Sequence, residues 1–374
     1  DATDVRQVGG TWIKNTITDN GGHGIEIIGR HGLYDMISGA STSNETVLTP
    51  LFIGIEGVDP ADGKDRGNII ESNALDGMTV NAGGSISFSN NSVKFNSTGG
   101  IDINPSGLNP NQTTAIKSND VVENVGIGID VNVTSSVVVT IRDNLVKDNI
   151  DSNPGDAVLT GDRIELSSLG GTLHATLTGN FIGGNDGRGI DLLNTGITQL
   201  KIGDPTLPLD TGRNSIVGNT HEGLYVVNTA DPAQPQDVVS STPMSAGGDS
   251  PYPPSDIMLH VDSNTIEDNG VGSSFVGTGV LIRSGTVNGG GPHTTRNPSG
   301  DSARLGGQGT SRDFSDPSGA TGVGSNDGAP DKGNGRINAR IANNSFEGNF
   351  GNDFYVDAFV STVPPATTSG TWTQ

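Results

Sequence analysis

The chain has 374 residues, of which 57 are glycine and only 4% are aromatic, a composition typical of turn-rich β proteins rather than helical ones. A formal net charge of −22 excludes the basic footprint that nucleic acid requires and disfavours docking on anionic lipid. The absence of cysteine excludes disulfides and thiolate metal sites, and no apolar run is long enough to predict a membrane span. Other proteins, neutral glycans and cations are therefore the expected partners.

A spaced pair of asparagines, Asn-x-apolar-x-x-Asn, recurs along nearly the whole chain. It first occurs as Asn15-Thr-Ile17-Thr-Asp-Asn20. The later pairs are at positions 68/73, 91/96, 119/124, 144/149, 180/185, 214/219, 264/269 and 344/349. Self-similarity at a period of a few tens of residues marks a solenoid, and the shortest intervals of 23, 25 and 28 residues suit one turn of a parallel β-helix.

Each repeat predicts about three short strands. An alternating segment precedes several asparagine pairs, as in Val137-Val-Val-Thr-Ile141, and an apolar-x-apolar triplet follows a glycine in six of them, as in Gly128-Ile-Asp-Val131. Alternation with period two indicates a strand with one buried face. The apolar residue inside each asparagine pair is predicted to face the core: Ile17, Ile70, Val93, Val121, Val146, Ile182, Ile216, Ile266 and Phe346.

The recurring asparagines predict ladders at the corners of the coil. Coils stacked about 4.8 Å apart place each asparagine above its counterpart, where one amide donates to one neighbour and accepts from the other. Asparagine and glycine also tolerate the left-handed backbone that tight corners need, so these residues are expected to form the turns.

The nine asparagine pairs and the Gly-Ile-Asp-Ile type triplets resemble the right-handed parallel β-helix repeat proteins of pectate-lyase-like architecture, with repeats of large bacterial surface proteins as the nearest likeness. The resemblance covers about Thr11 to Ala358. It implies an all-β fold, a right-handed parallel β-helix of about nine or more coils, in a single domain over residues 1–374. Proteins of this architecture include polysaccharide lyases, glycoside hydrolases, epimerases, phage tailspikes, adhesins and structural surface proteins, so the fold alone does not fix an activity.

Three long insertions are predicted at about residues 29–67, 228–256 and 284–335. Most of their residues fall after the triplet and before the next alternating segment, so the loops are expected to leave the coil along one edge. Loops of this length are usually functional or disordered. They are suited either to wall a glycan groove or to contact neighbouring subunits.

The middle residue of each triplet is predicted to face outward and to form a largely acidic stripe. These residues are Glu26, Thr79, Asp102, Asp130, Asp191 and Tyr225. Asp102 and Asp130 belong to consecutive repeats and are expected roughly 5 Å apart. Such proximity raises the pKa of one carboxylate or calls for a cation, and calcium accepts carboxylate oxygens in flexible geometry. The four acidic residues Glu26, Asp102, Asp130 and Asp191 are therefore the predicted calcium ligands, with a solvated acidic stripe as the alternative.

The sequence contains no complete catalytic set. Gly22-His23-Gly24 resembles the Gly-His-Gly element of polygalacturonase-type hydrolases, but the earlier coils that would carry the companion Asn-x-Asp and Asp-Asp elements barely exist in this chain. No basic residue stands at an outward triplet position, where a lyase would need its base. The sequence therefore assigns no role to His23 and leaves open whether the protein is an enzyme.

Three functional classes remain open. The favoured one is an exported bacterial protein with a structural or adhesive role at a cell surface or in an extracellular matrix, which associates with itself or with other surface proteins. A self-assembling filament subunit is one form of it. Gly10-Thr-Trp12 recurs as Gly370-Thr-Trp372, as though another coil began there. Asp1 lies in what resembles the middle of a polar turn, which predicts that the chain is a processed or excised piece of a longer precursor. The alternatives are a polysaccharide lyase, hydrolase or epimerase, and a glycan-binding module of the tailspike type.

Overall fold

The computed structural model describes residues 8–28, 47–58, 60–61, 65–81, 83–105, 112–134, 136–150, 164–168, 172–194, 196–228, 256–270, 278–284, 336–351 and 353–358. Their strands form three parallel sheets of nine strands each, and every coil contributes one strand to each sheet. The predicted parallel β-helix of nine coils is confirmed. That one domain extends over residues 1–374 stays a prediction.

Sheet A contains the first strand of each coil: β1 (Val8–Trp12), β4 (Val47–Ile53), β7 (Gly83–Ser89), β10 (Gln112–Lys117), β13 (Ser136–Arg142), β16 (Thr172–Thr178), β19 (Ile197–Ile202), β22 (Asp256–Asp262) and β25 (Arg336–Ala342). Sheet B contains the short second strands: β2 (Thr16–Thr18), β5 (Ile69–Glu71), β8 (Ser92–Lys94), β11 (Asp120–Val122), β14 (Leu145–Lys147), β17 (Phe181–Gly183), β20 (Ser215–Val217), β23 (Thr265–Glu267) and β26 (Ser345–Glu347). Sheet C contains the third strands: β3 (Ile25–Ile28), β6 (Met78–Asn81), β9 (Gly99–Ile103), β12 (Ile127–Val133), β15 (Ile164–Ser168), β18 (Ile190–Asn194), β21 (Leu224–Asn228), β24 (Val280–Ser284) and β27 (Phe354–Ala358).

The core is a set of apolar columns that run along the solenoid axis. In β13, Val137, Val139 and Ile141 are buried while Val138 is exposed, as the alternation predicts. The predicted inward column of sheet B is in register from coil one to coil nine. Its members are fully buried from Ile70 to Ile266 and partly buried in the two end coils.

Two asparagine ladders run through all nine coils. The first lies between sheets A and B and contains Asn15, Asn68, Asn91, Asn119, Asn144, Asn180, Asn214, Asn264 and Asn344. The second lies between sheets B and C and contains Asn20, Asn73, Asn96, Asn124, Asn149, Asn185, Asn219, Asn269 and Asn349. The predicted ladders are confirmed, and they satisfy polar groups that would otherwise be buried without partners.

The left-handed turn residue at these corners differs from the prediction. The ladder asparagines do not have positive φ. At most corners the residue immediately before the asparagine does, as in Ser118 (φ 54°) and Glu123 (φ 56°). The turn is therefore made one residue earlier, and each asparagine is left to direct its amide into the ladder.

The insertions also differ in part from the prediction. The first is shorter than residues 29–67, because β4 lies inside it and forms the sheet A strand of coil two. Pro50 and a shift of register between Leu48 and Leu51 interrupt the alternation that would have marked this strand. Residues 229–255 and 285–335, which make up nearly all of the other two insertions, lie outside the described residues. A further insertion, residues 151–163, lies between sheets B and C of coil five.

Helix is nearly absent from the described part of the chain. One turn, α1 (Leu209–Gly212), follows Pro208. Within the described ranges no helix has the length and apolar character needed to cross a bilayer.

Candidate functional site on the outward face of sheet C

The face of sheet C directed away from the core carries a continuous column of mostly acidic and polar side chains, and Thr79, Glu165 and Asp191 in it are buried. Strand pairing places them in the order Glu26, Thr79, Asp102, Asp130, Glu165, Asp191, Tyr225 and Leu281. The structure thus brings the four predicted acidic residues into one column, and Asp102 and Asp130 are direct neighbours as expected. Glu26 is separated from Asp102 by Thr79 and is exposed.

Glu165 is a member of this column that the sequence patterns missed. It lies between Asp130 and Asp191, so that four consecutive coils present a carboxylate, with neighbours about 4.8 Å apart along the axis. The insertion of residues 151–163 moves β15 away from Asn149 and removes the spacing used to find the other triplets. The alternation in Ile164-Glu-Leu166 is the signal that could have revealed it.

Asp102 has the most strongly perturbed carboxyl group in this column. Burial, followed by the negative charge of Asp76, raises the pKa of Asp102 to about 6. Asn104 donates a hydrogen bond from Nδ2 to Asp102 Oδ1 at 2.8 Å, which together with His23 opposes the rise in pKa. Asp102 therefore gains a proton close to neutral pH.

His23 and Asp76 form a polar cluster beside Asp102. His23 Nδ1 lies 3.2 Å from Asp76 Oδ2, and Thr79 Oγ1 donates to the same carboxylate oxygen at 3.1 Å. Thr98 Oγ1 donates to Asp76 Oδ1 at 2.7 Å. The two carboxylate oxygens of Asp76 are thus held by groups from three consecutive coils.

The sequence patterns assign no role to His23 and do not predict its contact with Asp76. Each of the two residues is followed by a glycine that directly precedes the sheet C strand, Gly24 before β3 and Gly77 before β6. Backbone hydrogen bonds hold these segments side by side, as from Gly24 N to Asp76 O at 3.0 Å. Equivalent positions of consecutive repeats are the signal that predicts such a contact.

A second, buried cluster surrounds Arg188 farther along the same face. Its guanidinium donates from Nε to Glu222 Oε2 at 2.9 Å and from Nη1 to Asp191 Oδ2 at 3.1 Å. It also stacks 3.8 Å above the centroid of the Tyr225 ring. Asp191, one of the four predicted calcium ligands, therefore already faces a buried cation.

No metal cluster is found in the residues that the structure describes: no three His, Asp or Glu side chains there are arranged to hold an ion. Calcium binding by Glu26, Asp102, Asp130 and Asp191 stays a prediction. Within that set, the adjacent pair Asp102 and Asp130 has the geometry that suits calcium binding best.

A family model described as the right handed beta helix region matches residues 4–201, just over half of the chain. The chain belongs to the right-handed β-helix family. No curated protein and no solved structure shows significant similarity to it. Membership in the right-handed β-helix family fixes the fold and its handedness, while the function depends on the outward-facing residues of this chain.

Substituting Asp102 should change the pH dependence of the stability of this β-helix. The folded-state pKa of about 6 exceeds the ordinary value of 3.8, so the folded protein holds this proton more tightly than the unfolded chain does. The stabilising effect of that proton is complete below about pH 4 and is lost as pH rises through about 6. We expect Asp102→Asn, which keeps an acceptor for Asn104, to be more stable than the parent by about 1–2 kcal/mol at pH 7.5, allowing for solvent screening.

Denaturant unfolding of both proteins between pH 4 and pH 8 measures this effect. The difference between them isolates Asp102 from the other carboxylates. A difference that stays constant across this range would show that the proton on Asp102 is bound equally in both states.

Proposed function

We propose that this right-handed β-helix protein is a structural or adhesive component of a bacterial cell surface or extracellular matrix. The observation that supports it most is the unbroken passage of both asparagine ladders through nine coils. They stiffen the described coils into a rod roughly 40 Å long. A rod of this kind is a spacer or load-bearing element, and the exposed side chains of Val138 and Met258 on sheet A are available for contacts.

Each coil is joined to the next by hydrogen bonds that run along the axis. Parallel strand pairs connect neighbouring coils in all three sheets, and the ladder amides add hydrogen bonds in the same axial direction. Force along the axis is therefore shared among many bonds at every coil boundary. The net charge of −22 favours a hydrated rod that resists nonspecific collapse onto its neighbours.

Immunogold electron microscopy of the cells that produce the protein tests this proposal. We expect label on the cell surface or in the surrounding matrix, retained after washing. Label confined to the cell interior, or protein found only free in the medium, would overturn the proposal.

The Asp102 region favours a carbohydrate-active enzyme as the second candidate. A carboxyl group with a pKa of about 6 is suited to act as a general acid near neutral pH, while Asp76 and Asp130 lie close enough to supply the second carboxylate. Two carboxyl groups with different environments are the requirement for glycoside cleavage. Asp102 and Asp130 are partly exposed, which gives a substrate access to them, whereas Glu165 and Asp191 farther along the column are buried.

A glycan panel tests the enzymatic candidate through release of reducing ends and of unsaturated uronate products. If the protein is a hydrolase using Asp102, Asp102→Asn should lower turnover about 100-fold or more. Asp120→Asn, at an exposed carboxylate on sheet B, is the matched control and should retain activity. Binding without turnover would instead indicate a glycan-binding module, and neither binding nor turnover would remove both alternatives for the glycans used.

A further inference from the structure

Both asparagine ladders have the same direction along the axis. In each step an asparagine of the lower coil donates from its backbone N–H, its Nδ2 or both to Oδ1 of the asparagine in the next coil. Asn264, for example, donates to Asn344 Oδ1 from backbone N at 2.8 Å and from Nδ2 at 2.9 Å. A directed ladder has one end that presents acceptors and one that presents donors.

The acceptor end is the face of coil one, here called the N-face, formed by β1, β2 and β3. Asn15 and Asn20 donate from Nδ2 to the asparagines of coil two at 2.8 and 2.7 Å. Among the described residues, no asparagine donates a hydrogen bond to Oδ1 of Asn15 or of Asn20. The apolar columns also end here, where Trp12 is 38% exposed and Ile17 is only partly buried.

The donor end is the face of coil nine, here called the C-face, formed by β25, β26 and β27. Asn344 and Asn349 accept from coil eight through Oδ1. Their backbone N–H groups have no asparagine acceptor within the described ranges, although Asp353 Oδ1 accepts from Asn349 Nδ2 at 3.1 Å. Phe346 is partly buried on this face and continues the column that begins at Ile17.

We propose that the C-face of one copy binds the N-face of a second copy, so that both ladders and the apolar columns continue from one copy into the next. This interface deepens the structural role proposed above and rests on it. The backbone N–H groups of Asn344 and Asn349, together with the second Nδ2 hydrogen of Asn344, meet Oδ1 of Asn15 and Asn20 in the next copy, and Phe346 packs against Ile17. Strands β25, β26 and β27 pair in parallel with β1, β2 and β3, the outermost strands among the described residues, so that all three sheets continue across the interface.

The direction of the ladders selects this arrangement over a symmetric dimer. Two N-faces would bring acceptor against acceptor, and two C-faces would bring donor against donor. Only the head-to-tail pairing satisfies both sets of groups. A head-to-tail interface that does not close on itself builds a linear filament.

Cysteine cross-linking tests both the interface and its register. The chain has no cysteine of its own, so introduced thiols report only the designed pair. Thr16 and Ser345 are exposed and occupy the same column of sheet B, at its two ends. In the proposed stack Ser345 of one copy lies one coil spacing, about 4.8 Å, from Thr16 of the next, which is within the Cα separation of a disulfide.

A mixture of the single variants Thr16→Cys and Ser345→Cys should form a disulfide-linked dimer containing one copy of each under mild oxidation. Thr16→Cys mixed with Val138→Cys, an exposed position in the middle of the rod, is the control and should form none. Homodimers of Thr16→Cys or of Ser345→Cys formed as readily as the mixed dimer would overturn the proposal in favour of symmetric contacts. Absence of the mixed dimer at high concentration would overturn it as well.

Sedimentation of the parent chain over a range of concentrations provides a second readout. We expect species that grow by whole copies, and we expect Ile17→Asp to abolish them by placing a charge over the apolar column of the N-face. Val138→Asp is the matched control and should assemble like the parent. A parent chain that stays monomeric would overturn the interface and indicate that something other than a second copy covers the end faces.

The interface and the proposed function fail in different ways. Surface label on cells combined with a monomeric, uncross-linked protein would reject the head-to-tail interface and keep the structural role. Specific cross-linking of a protein found only inside cells would reject the surface location and keep the interface.

Discussion

Asn119→Ala is expected to lower the free energy of unfolding by about 3–5 kcal/mol, because one fully buried side chain makes four hydrogen bonds. Asn119 Oδ1 accepts from backbone N and Nδ2 of Asn91 at 2.9 and 3.0 Å. Its Nδ2 donates to Asn144 Oδ1 at 3.0 Å and to Phe88 O at 2.9 Å. Alanine leaves the partner groups of Asn119 buried without replacement partners, and each unpaired buried polar group costs about 1–3 kcal/mol.

Denaturant unfolding followed by circular dichroism measures this loss, with Asn338→Ala as the control. Asn338 lies on the outward face of β25 and is exposed, so its replacement should change stability by less than about 0.5 kcal/mol. Equal effects of the two substitutions would mean that the ladder adds no more than a surface asparagine does.

Gly100→Ala is expected to cost at least about 3 kcal/mol, because its Cβ would collide with the next coil. A Cβ built at Gly100 would lie 2.4 Å from the carbonyl oxygen of Gly128 and 2.5 Å from Val121 Cγ1. The first of these atoms is backbone in a paired strand, and the second belongs to a fully buried core residue. Neither can move without separating two coils.

Gly21→Ala is the matched control, since a Cβ there meets nothing within 4 Å and its backbone is not in the left-handed region. This substitution should leave stability within about 1 kcal/mol of the parent, or raise it slightly by restricting the unfolded chain. Thermal unfolding of both variants measures the contrast. Similar melting temperatures for the two would contradict the close approach of coils at Gly100.

The repeated asparagine pairs were sufficient to predict the coil, the ladders and the inward columns. Their spacing from Asn91 to Asn144 is nearly regular, and stacking makes each position of one repeat the neighbour of the same position in the next. Register therefore follows from sequence alignment of the repeats alone. That is why the sequence alone predicts the adjacency of Asp102 and Asp130.

Strands and outward residues were harder to predict in the irregular repeats than in the regular ones. β4 was missed because Pro50 interrupts its alternation, and Glu165 was missed because an insertion separates it from Asn149. Both positions keep their place in the stack, since a loop can lengthen without changing which strands pair. Sequence distance is therefore a poor guide to neighbours in coils two and five.

Side-chain pairs between coils were harder to predict than backbone register. The contacts of Arg188 with Glu222 and of His23 with Asp76 join residues 34 and 53 positions apart. Each depends on rotamers and burial as well as on the column. Whether a carboxylate in the acidic column faces solvent, a metal ion or an arginine depends on these local contacts. The pairing of Asp191 with Arg188 is an example.

The structural role and the enzymatic alternative place different demands on the same chain. The ladders and core columns hold the rod together from within, whereas Asp102 and Asp130 lie on the outward side of sheet C and Asp76 lies in the turn before β6. Substitution of the outward residues should therefore alter chemistry or ion binding without breaking the solenoid. Substitution of Asn119 or Gly100 should break the solenoid whatever the outward residues do.

Electron cryotomography of the producing cells, with and without the gene for this protein, tests the structural role most directly. The proposed role predicts that loss of the gene removes or thins a surface layer or filament, and that the parent chain restores it while the destabilised Asn119→Ala chain does not. An unchanged cell surface, together with loss of the ability to degrade a glycan, would contradict the structural role and favour an enzyme built on sheet C.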